Sequence, residues 1–142
     1  MKEKKIRLRV ITPETVKFDD KVDMVIMHCN TGYMGIMAGH EPRSAVLDYG
    51  IMRILDGAQE ERQLAVFGGL AEVRDNLLTV LTSEAQWPHE IDLTHEHAQR
   101  DHLRQRLREH TSDLEIQRDQ ALLRRLLVRV KLGAQVPSDK QE

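Results

Sequence analysis

The sequence predicts an all-β N-terminal sandwich or barrel followed by a C-terminal α-helical hairpin. Three observations carry that prediction. Short apolar runs separated by turn residues fill the chain from Ile6 to about Thr82. Seven of the eight glycines fall in the same stretch. Beyond Trp87-Pro88-His89 only Gly133 remains, and charged residues recur at helical spacing. The change of texture sets the boundary: residues 1–86 for the strand-rich domain and 87–142 for the two-helix unit.

Ile6, Leu8 and Val10 alternate with Arg7 and Arg9, the period-two pattern of a half-buried strand. Val22, Met24 and Ile26 mark a second run, Ile51, Met52, Ile54 and Leu55 a third, Leu64, Ala65, Val66 and Phe67 a fourth, and Leu77 to Leu81 a fifth. Gly32, Gly35, Gly39, Gly50, Gly57, Gly68 and Gly69 lie between or beside them, a spacing that suits a compact antiparallel assembly. A unit of about 85 residues buries a modest share of its surface, so it should be stable alone by a few kcal/mol.

The first helix is expected over about 92–110 and the second over about 113–132. Ser112 with Glu115 reads as a capping box, Gly133 after Leu132 as a stop, and the tail GAQVPSDKQE as a frayed end. On a wheel, Ile116, Leu123, Leu126, Leu127 and Val130 form a broad apolar face. Arg118, Arg125 and Arg129 line up beside it, and Ala121, Val128 and Leu132 make a minor apolar strip. The first helix offers only Leu93, Leu103 and Leu107, so most of the stability of the pair must come from packing on something else.

Composition excludes several functions. With 142 residues the chain is too short for a barrel enzyme or a doubly wound nucleotide fold. Lys+Arg at 21 against Asp+Glu at 23 leaves a net charge of −2, with no basic field for nucleic acid, and 4% aromatics give no stacking platform. The single Cys29 forms no intramolecular disulfide and no zinc knuckle, which suits a reducing compartment. No apolar run is long enough to span a bilayer, and MKEKKIRLRV is not followed by an apolar core, so neither direct membrane insertion nor a secretion signal is expected.

No GxxxxGK[ST], GxSxG, HExxH or paired-cysteine motif is present, so no catalytic residue and no cofactor are expected. Five of the seven histidines fall between His89 and His110, yet His97 with Asp101 supplies two ligands and no third, so no metal is expected and a solvated helix face accounts for them. His28 and Cys29, neighbours in a strand, point to opposite faces and are poorly placed for proton transfer; Cys29 reads as core. Met24, Met27, Met34, Met37 and Met52 read as core or contact filler.

Two stretches are more specific. GYMGIMAGHEPRSAVLDYGIMRI, Gly32 to Ile54, and LAVFGGLAEVRDNLLTVLTSEA, Leu64 to Ala85, resemble the N-terminal sandwich of the epsilon subunit of the F-type ATP synthase, whose pattern runs G-x-x-G-[IV]-x-P-G-H-x-P, G-x-[IVL]-x-[IVL] and G-G-x-x-E-V. The resemblance implies a non-catalytic rotor component of the central stalk that couples proton or sodium flow to ATP synthesis. It would sit peripherally at the cytoplasmic face of the bacterial plasma membrane, with the gamma subunit, the c-ring and the alpha and beta subunits as partners. By the same resemblance a loop over Asn30, Gly32, Tyr33 and Gly35, together with Gly39, His40 and Pro42, contacts gamma and the c-ring. Turn geometry is the competing use of Gly35 and Gly39.

In that family the helices act as a brake on ATP hydrolysis. From Arg118 to Lys131 there are five basic residues and one acid, Asp119, so Arg118, Arg125 and Arg129 are the candidates to engage an acidic segment of beta. Some members bind ATP through I-D-x-x-R-A; here Ile91 and Asp92 match, while His95 and Glu96 replace the arginine and alanine, so weak or no ATP binding is expected. Ala38 replaces a common Pro, Asp48-Tyr49-Gly50 a common Lys-Pro-Gly, and Tyr33 a residue that is often acidic; the first two changes are expected to alter loop stiffness. A ligand-binding or adaptor module with a helical partner explains the composition equally well, and the motif series argues against it.

Overall fold

The computed structural model describes residues 4–57, 61–109 and 113–134, and the chain divides into two compact units, 1–86 and 87–142. Among the described residues the first unit is a sandwich of eight strands. β1 (Ile6–Ile11) alternates as its sequence requires, with Ile6, Leu8 and Val10 fully buried. Its two arginines reach across to Asp19 of β2 (Val16–Val22): Arg7 donates to both carboxylate oxygens at 2.9 and 3.1 Å, and Arg9 Nε stands 3.6 Å away. β3 (Met24–Cys29) and β4 (Gly32–Met37) form a hairpin with His28 opposite Tyr33.

β5 (Arg43–Leu55) and β6 (Arg62–Arg74) are each 13 residues long and keep one register from Arg43 opposite Val73 to Ile54 opposite Arg62. β7 (Leu77–Leu81) pairs β1 in parallel and β6 in antiparallel fashion, and the short β8 (Ala85–Gln86) pairs β6. The order is β2-β1-β7-β6-β5-β3-β4, so β4 and β2 are edges. The two long strands serve both layers: Met27 and Ile36 from one side and Ala71, Val73 and Leu78 from the other line the same interior gap. β6 bends at Gly68 and Gly69, with φ of +77° and +118°, and a Cβ at Gly69 would stand 2.0 Å from the Leu81 carbonyl oxygen.

Several expectations need correction. Asn30 and Thr31 alone turn the chain, so the expected loop from Asn30 to Gly35 is instead a tight turn entering β4. The second apolar run is two strand ends, Val22 of β2 and Met24 of β3, parted at Asp23. β2 escaped notice because VKFDDKV buries only Phe18 and Val22 and spends its other positions on solvated charge. Asp48, Tyr49 and Gly50 lie inside β5, so the departures there sit in a strand and leave loop stiffness untouched.

In the second unit a 3-10 turn (Pro88–Glu90) leads into α1 (Leu93–Glu109), and α2 (Asp113–Ala134) completes a hairpin. α1 is capped by Asp92, whose Oδ1 accepts from the His95 N–H at 3.2 Å and whose carbonyl accepts from the Glu96 N–H at 3.0 Å. Ser112 of the expected capping box and the expected frayed tail lie outside the described residues. Gly133 is no stop: it lies within α2, and a Cβ there would meet Leu93 Cδ1 at 3.1 Å and Ile91 Cγ2 at 3.5 Å. Its lack of a side chain permits close approach of the two segments.

The inner stripe of α2 also differs from the wheel. Its covered residues are Ile116, Asp119, Leu123, Leu126, Val130 and Gly133, at alternating spacings of three and four. Leu127, placed on the main face, is 40% exposed, whereas Leu132, placed on the minor strip, is fully buried.

Candidate functional site

The β3–β4 hairpin and the segment that follows it hold seven of the candidate contact residues. Asn30 donates its backbone N–H to the Val46 carbonyl at 3.0 Å, which pins the turn to β5. Gly32 follows with φ of +122°, a conformation that favours glycine. Tyr33 is 71% exposed, yet its ring is fixed from behind, stacked on His28 with centroids 4.8 Å apart and 27° between planes. His28 itself donates from Nδ1 to the Tyr49 carbonyl at 3.2 Å and packs on Gly50, where a Cβ would come within 2.8 Å of the His28 Cβ. Tyr49 in turn meets Phe67 edge to face at 6.1 Å, so the hydrogen bond to its carbonyl ties the Tyr33–His28 stack to a second aromatic pair.

Gly35 sits in a strand, opposite Ile26. A Cβ there would lie 2.6 Å from Met24 Cε, so its glycine serves side-chain packing, and the turn use weighed from sequence does not apply. Gly39 does turn, with φ of +81°, and its N–H donates to Asn76 Oδ1 at 3.0 Å. Asn76 also donates to the Lys5 carbonyl at 2.8 Å, tying the segment after β4 to the β6–β7 turn and the start of β1. His40 donates from Nδ1 to the Glu41 carbonyl at 2.7 Å, and Pro42 is exposed.

Six of the seven residues therefore form two groups, and Gly35 lies within the strand between them. Asn30, Gly32 and Tyr33 are at one end of β4, and Gly39, His40 and Pro42 follow its other end, with a six-residue strand of roughly 17 Å between. Apolar residues stand exposed beside and beyond them; sequence reading has Met37 as core or contact filler and misses the others. Met37 is 54% exposed and shares a β4 face with Tyr33; Val46, Leu70 and Leu81, each half exposed, flank a shallow apolar groove on β5, β6 and β7. Their signal was present as the outward positions of alternating strands, but a period-two pattern does not say which face is inside.

Cys29 is buried, and burial pushes its thiol up from the ordinary range, which favours the unreactive protonated form. Among the described residues no group of three or more His, Cys, Asp or Glu could hold a metal, and no helix is long and apolar enough to cross a membrane.

On α2, Arg118 is exposed, while Arg125 and Arg129 are half-buried. Ile91 and Asp92 already have structural work, the first buried against Gly133 and the second capping α1. The family model of the beta-sandwich domain of the ATP synthase delta/epsilon chain matches residues 5–88, the whole of the sandwich.

The chain belongs to the ATP synthase delta/epsilon family. It is 35% identical to the ATP synthase epsilon chain of Caldicellulosiruptor saccharolyticus over 125 residues, covering 88% of this chain and 90% of that one. A solved chain of the Euglena gracilis mitochondrial ATP synthase, in its OSCP/F1/c-ring assembly, shares the fold with a TM-score of 0.82 at 20% identity, covering 94% of this chain and 84% of that one. A chain of the Tetrahymena thermophila central stalk and c-ring does so with 0.59 at 13% identity, covering 94% and 99%. As a delta/epsilon family member the chain is a non-catalytic subunit of the ATP synthase.

Proposed function

We propose that the chain is the epsilon subunit of an F-type ATP synthase, a rotor component of the central stalk that couples ion flow to ATP synthesis and restrains ATP hydrolysis through its helical hairpin. The observation that carries the proposal is similarity to an epsilon chain over nearly the full length of both proteins, hairpin included. Gamma and the c-ring are the partners of the sandwich, the alpha and beta subunits those of the hairpin, and the cytoplasmic face of the bacterial plasma membrane the peripheral location. The fixed, exposed Tyr33 and the apolar residues Met37, Val46, Leu70 and Leu81 support a protein-binding surface on the sandwich, since a buried-back aromatic is the residue type that anchors interfaces.

The inhibitory role falls to Arg118, Arg125 and Arg129, which supply fixed cations for an acidic partner. The test has two arms. Tagged full-length chain recovered from its own membranes should bring down alpha, beta, gamma and c subunits; recovery of none of them rejects the assignment. In the assembled enzyme, replacing the three arginines by Ala should raise ATP hydrolysis several-fold with assembly intact, and an unchanged rate rejects the brake.

A further inference from the structure

Residues 38–42 join β4 to β5 and carry Gly39, His40 and Pro42. They leave β4 through a turn in which the His40 N–H donates to the Met37 carbonyl at 3.2 Å and Gly39, at the third place, has φ of +81°. That bond serves the fourth residue of the turn and leaves the N–H of the third to find its own acceptor. It finds Asn76 Oδ1 at 3.0 Å, 37 residues further along the chain. Among the described residues this is the hydrogen bond that ties 38–42 to a distant part of the chain, since His40 Nδ1 bonds only to the carbonyl of its neighbour Glu41. Asn76 is itself fixed. With Asp75 it makes the two-residue turn between Arg74 and Leu77, which pair across the β6–β7 hairpin, and the two have φ of 49° and 61°. Its carbonyl accepts from the Arg7 N–H at 3.2 Å, and its Nδ2 donates to the Lys5 carbonyl at 2.8 Å. A backbone N–H can only donate and a carbonyl can only accept, so these partners fix which way the amide faces. Glycine would suit the φ and aspartate would supply the acceptor, but asparagine does both and donates as well.

We propose that Asn76 is a positioning residue for the partner-facing segment 39–42: its amide clamps the turn that carries His40 in one conformation, so that a partner meets a segment already ordered. Without the clamp the connector keeps one local turn bond and samples other conformations, and binding then has to order it. Pre-ordering of this kind raises affinity without adding a contact, so Asn76 acts through Gly39 and needs no contact with the partner. The other group of candidate contact residues is set by different means, because Tyr33 is held by stacking on His28. Loss of the Asn76 side chain should therefore free the His40 segment and leave Tyr33 in place. The consequence for binding rests on the partner surface proposed above; the clamp itself does not.

The experiment compares the full-length chain with Asn76→Gly, Asn76→Asp and His40→Ala. Asn76→Gly keeps the φ of the turn and removes both side-chain bonds. Amide hydrogen exchange should then show the Gly39 N–H less protected by roughly tenfold or more, with Leu78 and Val80 of β7 unchanged. Asn76→Asp keeps the acceptor and should hold Gly39 near its original protection. Each chain is next titrated onto ATP synthase stripped of its own copy of this chain, at a temperature where every variant is folded. Asn76→Gly and His40→Ala should each weaken association by roughly fivefold or more, and Asn76→Asp by less. Unaltered exchange at Gly39 in Asn76→Gly overturns the clamp. Faster exchange there, with association weakened in His40→Ala alone, overturns the positioning role, as does a lowered thermal midpoint in Asn76→Gly with the affinity of the folded chain intact. If neither variant weakens association, the partner surface proposed above fails and the role of Asn76 in binding fails with it.

Discussion

Gly133 of α2 lies against Leu93 of α1, so near that a Cβ at 133 would stand 3.1 Å from Leu93 Cδ1. Sequence convention reads a glycine after a run of leucines as the end of a helix, but this one is inside it. The contact closes the end of the hairpin remote from the α1–α2 connection and is backed by Ile91, which is buried.

A bulky residue at 133 should therefore prise that end apart. Gly133→Leu is expected to cost about 1–3 kcal/mol through overpacking, read as faster hydrogen exchange in the first turns of α1. Gly133→Ala should be close to neutral, because a helix-propensity gain of about 1 kcal/mol opposes the displacement of Leu93. Unaltered exchange in Gly133→Leu would show that the contact contributes nothing.

The sandwich contains a sharper contrast. Gly69→Ala drives a Cβ into the backbone at Leu81, 2.0 Å from its carbonyl oxygen, at a φ that L-residues rarely adopt. Neither strand can yield without breaking the β6–β7 ladder, so a loss of about 3 kcal/mol or more is expected. Gly35→Ala meets only the mobile end of Met24 and should change stability by about 1 kcal/mol at most. Urea denaturation of the two variants side by side measures the difference, and equal midpoints would contradict the geometry.

Acid should weaken the fold through identifiable carboxylates. Hydrogen bonding from Arg7 holds Asp19 below the usual carboxylate range, and hydrogen bonding from Arg53 does the same for Glu61. A carboxylate whose folded pKa is depressed contributes stability above its unfolded pKa of about 4, and that stability is lost as pH falls through the lower folded value. Thermal midpoints should thus fall below about pH 4, and Asp19→Asn with Glu61→Gln should flatten that limb. The effect should be small because these pairs are solvated. An identical acid limb in the double variant would assign the loss to other groups.

How much was legible in the sequence depended on which face of each element was inside. Ile6, Leu8 and Val10 announce β1 because arginines alternate with them, and the glycines announce a strand-rich unit. β2 stayed hidden because Asp19, Asp20 and Lys21 occupy its middle and its partners are arginines of another strand, which no local pattern reveals. The loop expected at Tyr33 became a strand because glycines at 32 and 35 look like turn residues, although Gly35 makes room for Met24 across the hairpin. Asp119 was counted as a lone acid in a basic run; only the register of two helices puts it in their seam. Family motifs nominated the contact residues, but whether Asn30 and His40 lie together is a property of β4's length, and they lie at opposite ends.

Nucleotide binding gives the last prediction. Asp92 matches the family's ATP motif, but its Oδ1 is engaged by the His95 N–H, and Ile91 is buried against Gly133, so neither matching residue reports a ligand site by its presence. The residues that differ decide the outcome. Glu96 adds a carboxylate with one oxygen out of water, where repulsion of a polyphosphate is poorly screened, and His95 lacks a permanent charge. Calorimetric titration of the full-length chain with ATP should therefore show no micromolar affinity. His95→Arg with Glu96→Ala restores the motif and should tighten binding at least tenfold, about 1.4 kcal/mol. Because Glu96→Ala also removes a half-buried carboxylate from α1, His95→Arg alone separates the two effects: it should recover part of the affinity while leaving that carboxylate in place. Micromolar binding by the unaltered chain would mean that Glu96 does not face the phosphates at all.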